Sequence, residues 1–215
     1  GKYYIDFSDV RGSDLVQELK RTITFSGQEP TCQLFTGHIG CGKTTELSRL
    51  RQELEAAGYQ VVYFISTDDL DIGDVDISDI LLVIAKHMSK SLEMARLRLE
   101  PNKFQSLLKG VANLLKAEVE GIDVDVDMEV GGLPVGGKFG VSAENGNYSL
   151  AFGIGELTTK LKHSKDVRSL LHQYLEPRIN TILEVINSEL IDTANQQLLA
   201  LGKSGLVVIV DNLDR

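Results

Sequence analysis

The residues with the clearest chemistry lie between Gly37 and Thr44, in the stretch GHIGCGKT. The stretch fits the pattern G-x-x-x-x-G-K-[ST], in which glycines let the backbone curl so that successive N–H groups point at phosphate oxygens. Lys43 supplies a positive charge for the outer phosphates, and the Thr44 hydroxyl supplies an oxygen ligand of the kind that Mg²⁺ prefers. The spacing therefore predicts a phosphate-binding loop, or P-loop, that holds a magnesium nucleotide. The residues expected to contact the nucleotide are consecutive: Gly37, His38, Ile39, Gly40, Cys41, Gly42, Lys43, Thr44 and Thr45.

A carboxylate near the far end of the chain fits the same chemistry. Asp211 comes directly after the apolar run LVVIV, residues 206–210. A buried strand of this kind brings its last carboxylate to the carboxyl edge of a sheet, where open α/β folds bind their ligands. Many buried strands end in Asp before a turn, so the pattern alone indicates little. It indicates a nucleotide site only in combination with the P-loop in the same chain. Together they predict that Asp211 holds Mg²⁺, directly or through water.

The elements around the loop show alternating strand and helix patterns. The segment CQLFTG, 32–37, predicts a short buried strand that runs into the loop. From Lys43, three leucines at helical spacing form one apolar stripe, and Gly58 is a natural stop for that helix. The run VVYFIS, 61–66, then predicts a strand of the kind that parallel sheets cover on both faces.

Two further helices are predicted near the ends of the chain. One covers 14–23, where Leu15 begins an apolar face and Ser13 or Asp14 starts the helix. The other covers 166–201, with a break at its single proline. This order of strands and helices predicts an α/β fold.

The acid-rich stretch 66–79 leads into another predicted helix. Its spacing fails the calcium-loop pattern, because no glutamate stands at the twelfth place. A solvated turn is the ordinary explanation, with Ser78 or Asp79 capping the helix that follows. That helix repeats apolar residues at helical spacing through Leu92.

The middle of the chain changes character. Residues 121–130 alternate strictly between apolar and acidic side chains, and Asn145 with Gly146 gives a strong hairpin signal. We therefore predict an antiparallel β-hairpin insertion over 120–156. The acidic face of its first strand keeps the surface soluble or, as the alternative, docks a basic partner.

Composition limits the classes of function. The 215 residues carry a formal net charge of -9, with 42% hydrophobic and 25% charged residues, as in an ordinary soluble globular chain. The negative charge disfavours nonspecific binding to nucleic acid or to an anionic membrane. The apolar runs fall short of the ~20 residues that a membrane helix needs. Cys32 and Cys41 are too few for a disulfide framework, so we expect a reducing cytoplasm.

The P-loop together with VVIVDNLDR resembles the ATPases that add a strand between the P-loop strand and the Asp-bearing, or Walker-B, strand, and among them the STAND and AAA-type bacterial ATPases. The likeness covers both ends of the chain and leaves 100–165 unmatched. It implies that residues 1–215 form a three-layer P-loop NTPase sandwich with a mainly parallel sheet, incomplete after the Walker-B strand. It also implies that the strands flanking the P-loop strand come later in the sequence, which leaves a gap or an edge beside it.

The same resemblance suggests further site residues. The segment that borders the adenine in these ATPases is similar to Val10, Arg11 and Gly12. A plain turn that leads into the first helix is the alternative. Many AAA-type enzymes place a glutamate directly after the Walker-B aspartate, but Asn212 stands here and cannot act as a base. The STAND-like pattern implies that Asp214 orients or activates water; pairing with Arg215 or capping the next element is the alternative.

Two functions of different classes fit these residues. The first is ATP hydrolysis that drives a conformational or assembly switch, with Lys43, Asp211 and Asp214 as catalytic residues. The second is a nucleotide-binding signalling or scaffold module with negligible turnover, in which ATP stabilises one conformation. A third, a P-loop kinase for a small molecule, is disfavoured because basic residues between 100 and 165 are scattered. The resemblance implies ATP rather than GTP, with further copies of the chain or attached C-terminal domains as partners.

Overall fold

The computed structural model describes residues 14–27, 29–71, 73–99, 102–104, 106–107, 110–111, 129–130, 133–134 and 165–213. They form a mixed α/β structure that is mostly helical and contains a small two-stranded parallel sheet. This agrees with the predicted α/β class. The chain divides into two compact units, Gly1–Phe64 with Leu198–Arg215, and Ile65–Gln197.

The helices and strands follow one another in a simple order. They are α1 (Leu15–Phe25), α2 (Lys43–Ala56), β1 (Tyr59–Ile65), α3 (Ser66–Asp69), α4 (Ile77–Met94), β2 (Glu129–Val130), β3 (Leu133–Pro134), α5 (Lys165–Leu175), α6 (Ile179–Val185), α7 (Thr193–Ala200) and β4 (Gly205–Asp211). A 3-10 turn, Glu176–Arg178, joins α5 to α6, and a π-helical segment, Ile186–Asp192, joins α6 to α7.

In the first unit, α2 packs against β1 and β4. The predicted leucine stripe and stop are confirmed, because Leu50 and Leu54 are buried and Gly58 adopts a positive φ of 91° directly after the helix. β1 pairs with β4, which the sequence places almost 150 residues later. The core lies between these elements and α1: Val16, Leu50, Leu54, Val61 and Ile209, flanked by Leu19, Ile23, Leu47, Tyr59, Tyr63 and Val207.

Helix α1 begins as predicted but turns a different residue to the core. The Asp14 side chain accepts a hydrogen bond from the Gln17 backbone N–H and so caps the first turn. Val16 is 1% exposed, whereas Leu15 is 37% exposed. The buried face therefore starts one residue later than predicted, because the true stripe continues through Leu19 and Ile23 at spacings of three and four residues.

The predicted strand before the P-loop is wrong. Residues 31–38 form neither helix nor strand, and Leu34 is 87% exposed. A strand is stable only when a neighbour satisfies its backbone N–H and C=O groups. Within the described residues, the parallel sheet consists of β1 and β4 alone, so 32–37 has no strand beside it.

In the second unit, α4 has a cap that differs from the prediction. Asp76, not Ser78 or Asp79, is the N-cap residue: its side chain accepts from the Ser78 N–H at 3.2 Å. Asp79 completes a capping box by accepting from the Asp76 N–H at 3.1 Å. The helix then buries Met88 and Leu92 of its predicted apolar stripe, whereas the stripe's earlier residues, Ile80 and Ile84, are only half-buried.

The long helical region near the end of the chain matches its prediction in outline. It runs from Lys165 to Ala200, and Pro177 lies in the 3-10 turn that interrupts it. The π-helical segment was not predicted, since a hydrophobic period does not distinguish an inserted residue from a regular turn. The region supplies buried side chains to the core of the second unit: Leu171, Leu175, Ile182 and Leu190.

Four residues of the predicted insertion are described. Glu129–Val130 pairs antiparallel with Leu133–Pro134. The Asn145–Gly146 turn and the remainder of 120–156 lie outside the described residues.

Candidate functional site

The P-loop residues form an exposed turn at the start of α2. Gly40 and Gly42 have φ values of 80° and 87°, a left-handed conformation that costs other residues about 1–2 kcal/mol. The Cys41 N–H donates to the His38 carbonyl at 3.2 Å, which closes the turn. Gly42 is the N-cap of α2, so the positive end of the helix lies at this loop. The positive φ values at Gly40 and Gly42 agree with a glycine-dependent turn before α2, and the binding of phosphate by its N–H groups stays a prediction.

The Lys43 ammonium lies across this turn. Its Nζ donates to the Gly37 carbonyl at 2.7 Å and approaches the His38 carbonyl at 3.4 Å. The two ends of the motif are thus held together by the lysine that the sequence assigns to the phosphates. His38 participates through its single backbone carbonyl and not through its ring in these contacts.

The remaining predicted loop contacts are accessible. Thr44 and Thr45 lie on the first turn of α2 and are exposed, as is Cys41. Ile39 is 87% exposed at the tip of the turn. Exposed side chains therefore surround the place where the sequence predicts a polyphosphate.

Asp211 is buried at the end of β4 and is hydrogen-bonded through both carboxylate oxygens. The residue is 1% exposed. Its Oδ2 accepts from the Tyr63 hydroxyl at 2.7 Å, and its Oδ1 accepts from the Asn212 N–H at 2.8 Å. A buried carboxylate needs such donors to remain charged. The position at the strand end agrees with the prediction, and the two donors fix how the carboxylate is turned.

Tyr63 is a neutral hydrogen-bond donor to this carboxylate. Burial raises the pKa of Tyr63 to about 12, and both the hydrogen bond and the negative charge of Asp211 act in the same direction. A hydrogen bond from Ser48 and the positive charge of Arg51 oppose the rise. The Arg51 guanidinium lies 5.8 Å from the centre of the Tyr63 ring. The hydroxyl therefore keeps its proton throughout the neutral pH range.

Ser48 and Tyr63 connect the P-loop helix to Asp211. Ser48 lies four residues after Thr44 in α2, hence on the same side of the helix and one turn further along. It hydrogen-bonds to Tyr63, which hydrogen-bonds to Asp211. Helix α2, which carries Thr44, and β4, which ends in Asp211, thus belong to one compact unit and are linked through the Ser48 and Tyr63 side chains. That Thr44 and Asp211 bind magnesium stays a prediction.

Four predicted site residues lie outside the described residues: Val10, Arg11, Gly12 and Asp214. Their roles stay predictions. Sequence reasoning missed both Ser48 and Tyr63. The run VVYFIS marks Tyr63 only as an apolar strand residue, and its polar function depends on a partner 148 residues away.

The acid-rich turn is held by basic side chains of its own unit. Its ion pairs are Arg168 with Asp71 and Asp74, and Lys86 with Asp69. The His172 and His87 rings are hydrogen-bonded to Asp79 and Asp69. Arg168 has only 4% of its side chain exposed, so it anchors the turn from inside. Across the described ranges, no three His, Cys, Asp or Glu side chains form a group that could hold a metal ion. These contacts agree with the structural explanation of the turn.

Comparison with known proteins gives no relative. A scan against family models and searches of curated proteins and of solved structures found no match. Within the described part of the chain, no helix has both the length and the apolar character that a membrane span requires.

Proposed function

We propose that this protein binds Mg·ATP at the loop Gly37–Thr44 and hydrolyses it, as a P-loop NTPase of the additional-strand class similar to STAND and AAA-type ATPases. Hydrolysis would drive a conformational or assembly switch in attached domains or in further copies of the chain. The proposed location is the cytoplasm, whose reducing environment suits the exposed Cys32 and Cys41 thiols.

The observation that carries the proposal is the link between the two motifs. A short apolar strand that ends in Asp is common, and a glycine-rich loop is not rare. Here Asp211 is hydrogen-bonded to Tyr63, and Tyr63 is hydrogen-bonded to Ser48 in α2, the helix that follows the loop. Two motifs far apart in sequence thus belong to one compact unit.

Each residue has a defined part in this function. The backbone N–H groups of the loop and the start of α2 bind phosphate oxygens. Lys43 exchanges a carbonyl contact for a phosphate oxygen and offsets the negative charge there. Thr44 and Asp211 supply hard oxygen ligands, which fit Mg²⁺. The ion that they would hold would supply positive charge to offset the negative charge that develops on the phosphates. Asp214 would orient the attacking water.

Calorimetry with Mg·ATP tests the binding step. Wild type is expected to bind, and Lys43→Ala to bind at least about tenfold more weakly, because a charge-assisted hydrogen bond to phosphate is lost. Lys203→Ala is the matched control, since Lys203 is an exposed lysine of the same unit. Equal affinity of wild type and Lys43→Ala, or no binding by wild type, would contradict the proposal.

A nucleotide-binding switch with negligible turnover is the second candidate. Asn212 favours this second function, because its side-chain amide stands where a glutamate base would follow the Walker-B aspartate. Its backbone N–H donates to Asp211. Release of phosphate over many turnovers supports hydrolysis, and binding without release supports the switch. Transfer of the phosphoryl group to a small-molecule acceptor would instead indicate a kinase.

A further inference from the structure

The Tyr63 hydroxyl occupies a position that packing alone does not explain. Tyr63 and Tyr59 lie on the same face of β1 and pack against the same core. The Tyr63 hydroxyl, however, reaches the Asp211 carboxylate at 2.7 Å, and its protein partners come from both α2 and β4.

The two donors to Asp211 have different origins. The Asn212 N–H belongs to the next residue in the chain, so this bond forms wherever β4 ends in the same turn. The Tyr63 bond is made across the sheet, and it ties the carboxylate to an element that also contacts α2 through Ser48. Only this second bond can set the carboxylate relative to the P-loop helix.

We infer that Tyr63 is a positioning residue, whose hydroxyl holds the Asp211 carboxylate in the orientation that receives the magnesium ion of a nucleotide bound at the P-loop. The inference rests on the proposed function and assigns a role that neither motif contains. Tyr63 acts through Asp211 and does not touch the nucleotide. Ser48 acts one step further away, by fixing the Tyr63 hydroxyl.

The test measures how much Mg²⁺ strengthens ATP binding. ATP is titrated into the protein once with excess Mg²⁺ and once with EDTA, and the ratio of the two affinities is the magnesium enhancement. Tyr63→Phe keeps the ring and removes the hydroxyl. The enhancement is expected to fall by about tenfold, because a hydrogen bond to a charged group is lost, while affinity in EDTA stays the same.

Tyr59→Phe is the matched control, because it removes a hydroxyl from the same strand face and leaves the same core. Its enhancement is expected to equal that of wild type. Ser48→Ala is expected to lower the enhancement in the same direction but by less than Tyr63→Phe. Thermal unfolding of each variant shows that it is folded, and a loss of stability alone would lower both affinities together.

A double-mutant cycle separates positioning from packing. If Tyr63 acts through Asp211, then adding Tyr63→Phe to Asp211→Asn lowers the enhancement no further. Independent losses that add would overturn the inference, as would an unchanged or increased enhancement in Tyr63→Phe alone. Wild type that binds ATP equally with Mg²⁺ and with EDTA would overturn the role of magnesium in the proposed function and this inference together. A normal wild-type enhancement retained in Tyr63→Phe overturns the inference alone.

Discussion

The Asp69 carboxylate is held ionised by two basic neighbours at the start of the acid-rich turn. His87 Nε2 lies 2.6 Å from Oδ2, and the Lys86 ammonium donates to Oδ1. The hydrogen bond with His87 is the main reason that the pKa of Asp69 falls from 3.8 to about 2. Burial opposes this, and Lys86 adds to it through its hydrogen bond and charge.

This pKa predicts a loss of stability in acid. The folded pKa of Asp69 lies below the unfolded value, so its contribution is fully present above about pH 4 and is lost as the pH falls toward 2. The difference corresponds to at most about 2 kcal/mol. Urea unfolding at several pH values should show the wild-type and Asp69→Asn curves of unfolding free energy converging between pH 4 and 2. If the two curves run parallel over that range, the lowered pKa of Asp69 is contradicted.

At the residue scale, the sequence identified the groups that belong to a motif and missed those that support them. Gly37, Lys43 and Asp211 stand out because their types and spacing match patterns that phosphate and magnesium binding require. Tyr63 has no such spacing. Its function depends on a contact between β1 and β4, which only the folded sheet reveals.

At the scale of elements, the start of α4 offers a direct measurement. Asp76 accepts the Ser78 N–H, and replacing it by alanine leaves the first turn without that acceptor. We expect Asp76→Ala to lower the free energy of unfolding by about 1 kcal/mol. Asp76→Ser is the matched variant, because a hydroxyl oxygen can still cap the helix. Chemical denaturation should place Asp76→Ser close to wild type; equal losses in the two variants would show that the cap contributes nothing.

The sequence predicts well those elements whose start and end are set by nearby residues in the chain. Helix α2 begins and ends where a glycine-rich loop and Gly58 require, and the long helical region breaks at Pro177. The prediction of a strand over 32–37 is wrong because a strand depends on a neighbouring strand, and apolar composition does not indicate whether one is present. The N-cap of α4 was misassigned for a different reason: three candidate caps stand within four residues, and propensity does not rank them.

At the scale of the whole molecule, the described residues have cores in two compact units. The first surrounds Leu54 and combines residues from both ends of the chain. The second includes Met88 and Leu190, which lie in the middle of the sequence. A nucleotide at the P-loop would therefore contact the unit in which α2, β1 and β4 share one core.

Truncating Leu54 tests whether that core stabilises the candidate site. Leu54 is fully buried, and Leu54→Ala is expected to lower the free energy of unfolding by about 2–5 kcal/mol. Amide hydrogen exchange should accelerate in α2, β1 and β4, while α4 keeps its protection because its core is separate. Leu199→Ala is the matched control, since that leucine is 44% exposed. Equal acceleration in α4 would show that the two cores unfold as one.

The backbone of Asn212 limits how a glutamate could be introduced directly after Asp211. Its φ of 61° is tolerated by asparagine but strains a glutamate by about 1 kcal/mol or more. A glutamate at position 212 would favour a negative φ over the left-handed conformation. With that change, the backbone N–H that now donates to Asp211 would point elsewhere. Adding a proton acceptor at position 212 would thus loosen the neighbouring Asp211 carboxylate.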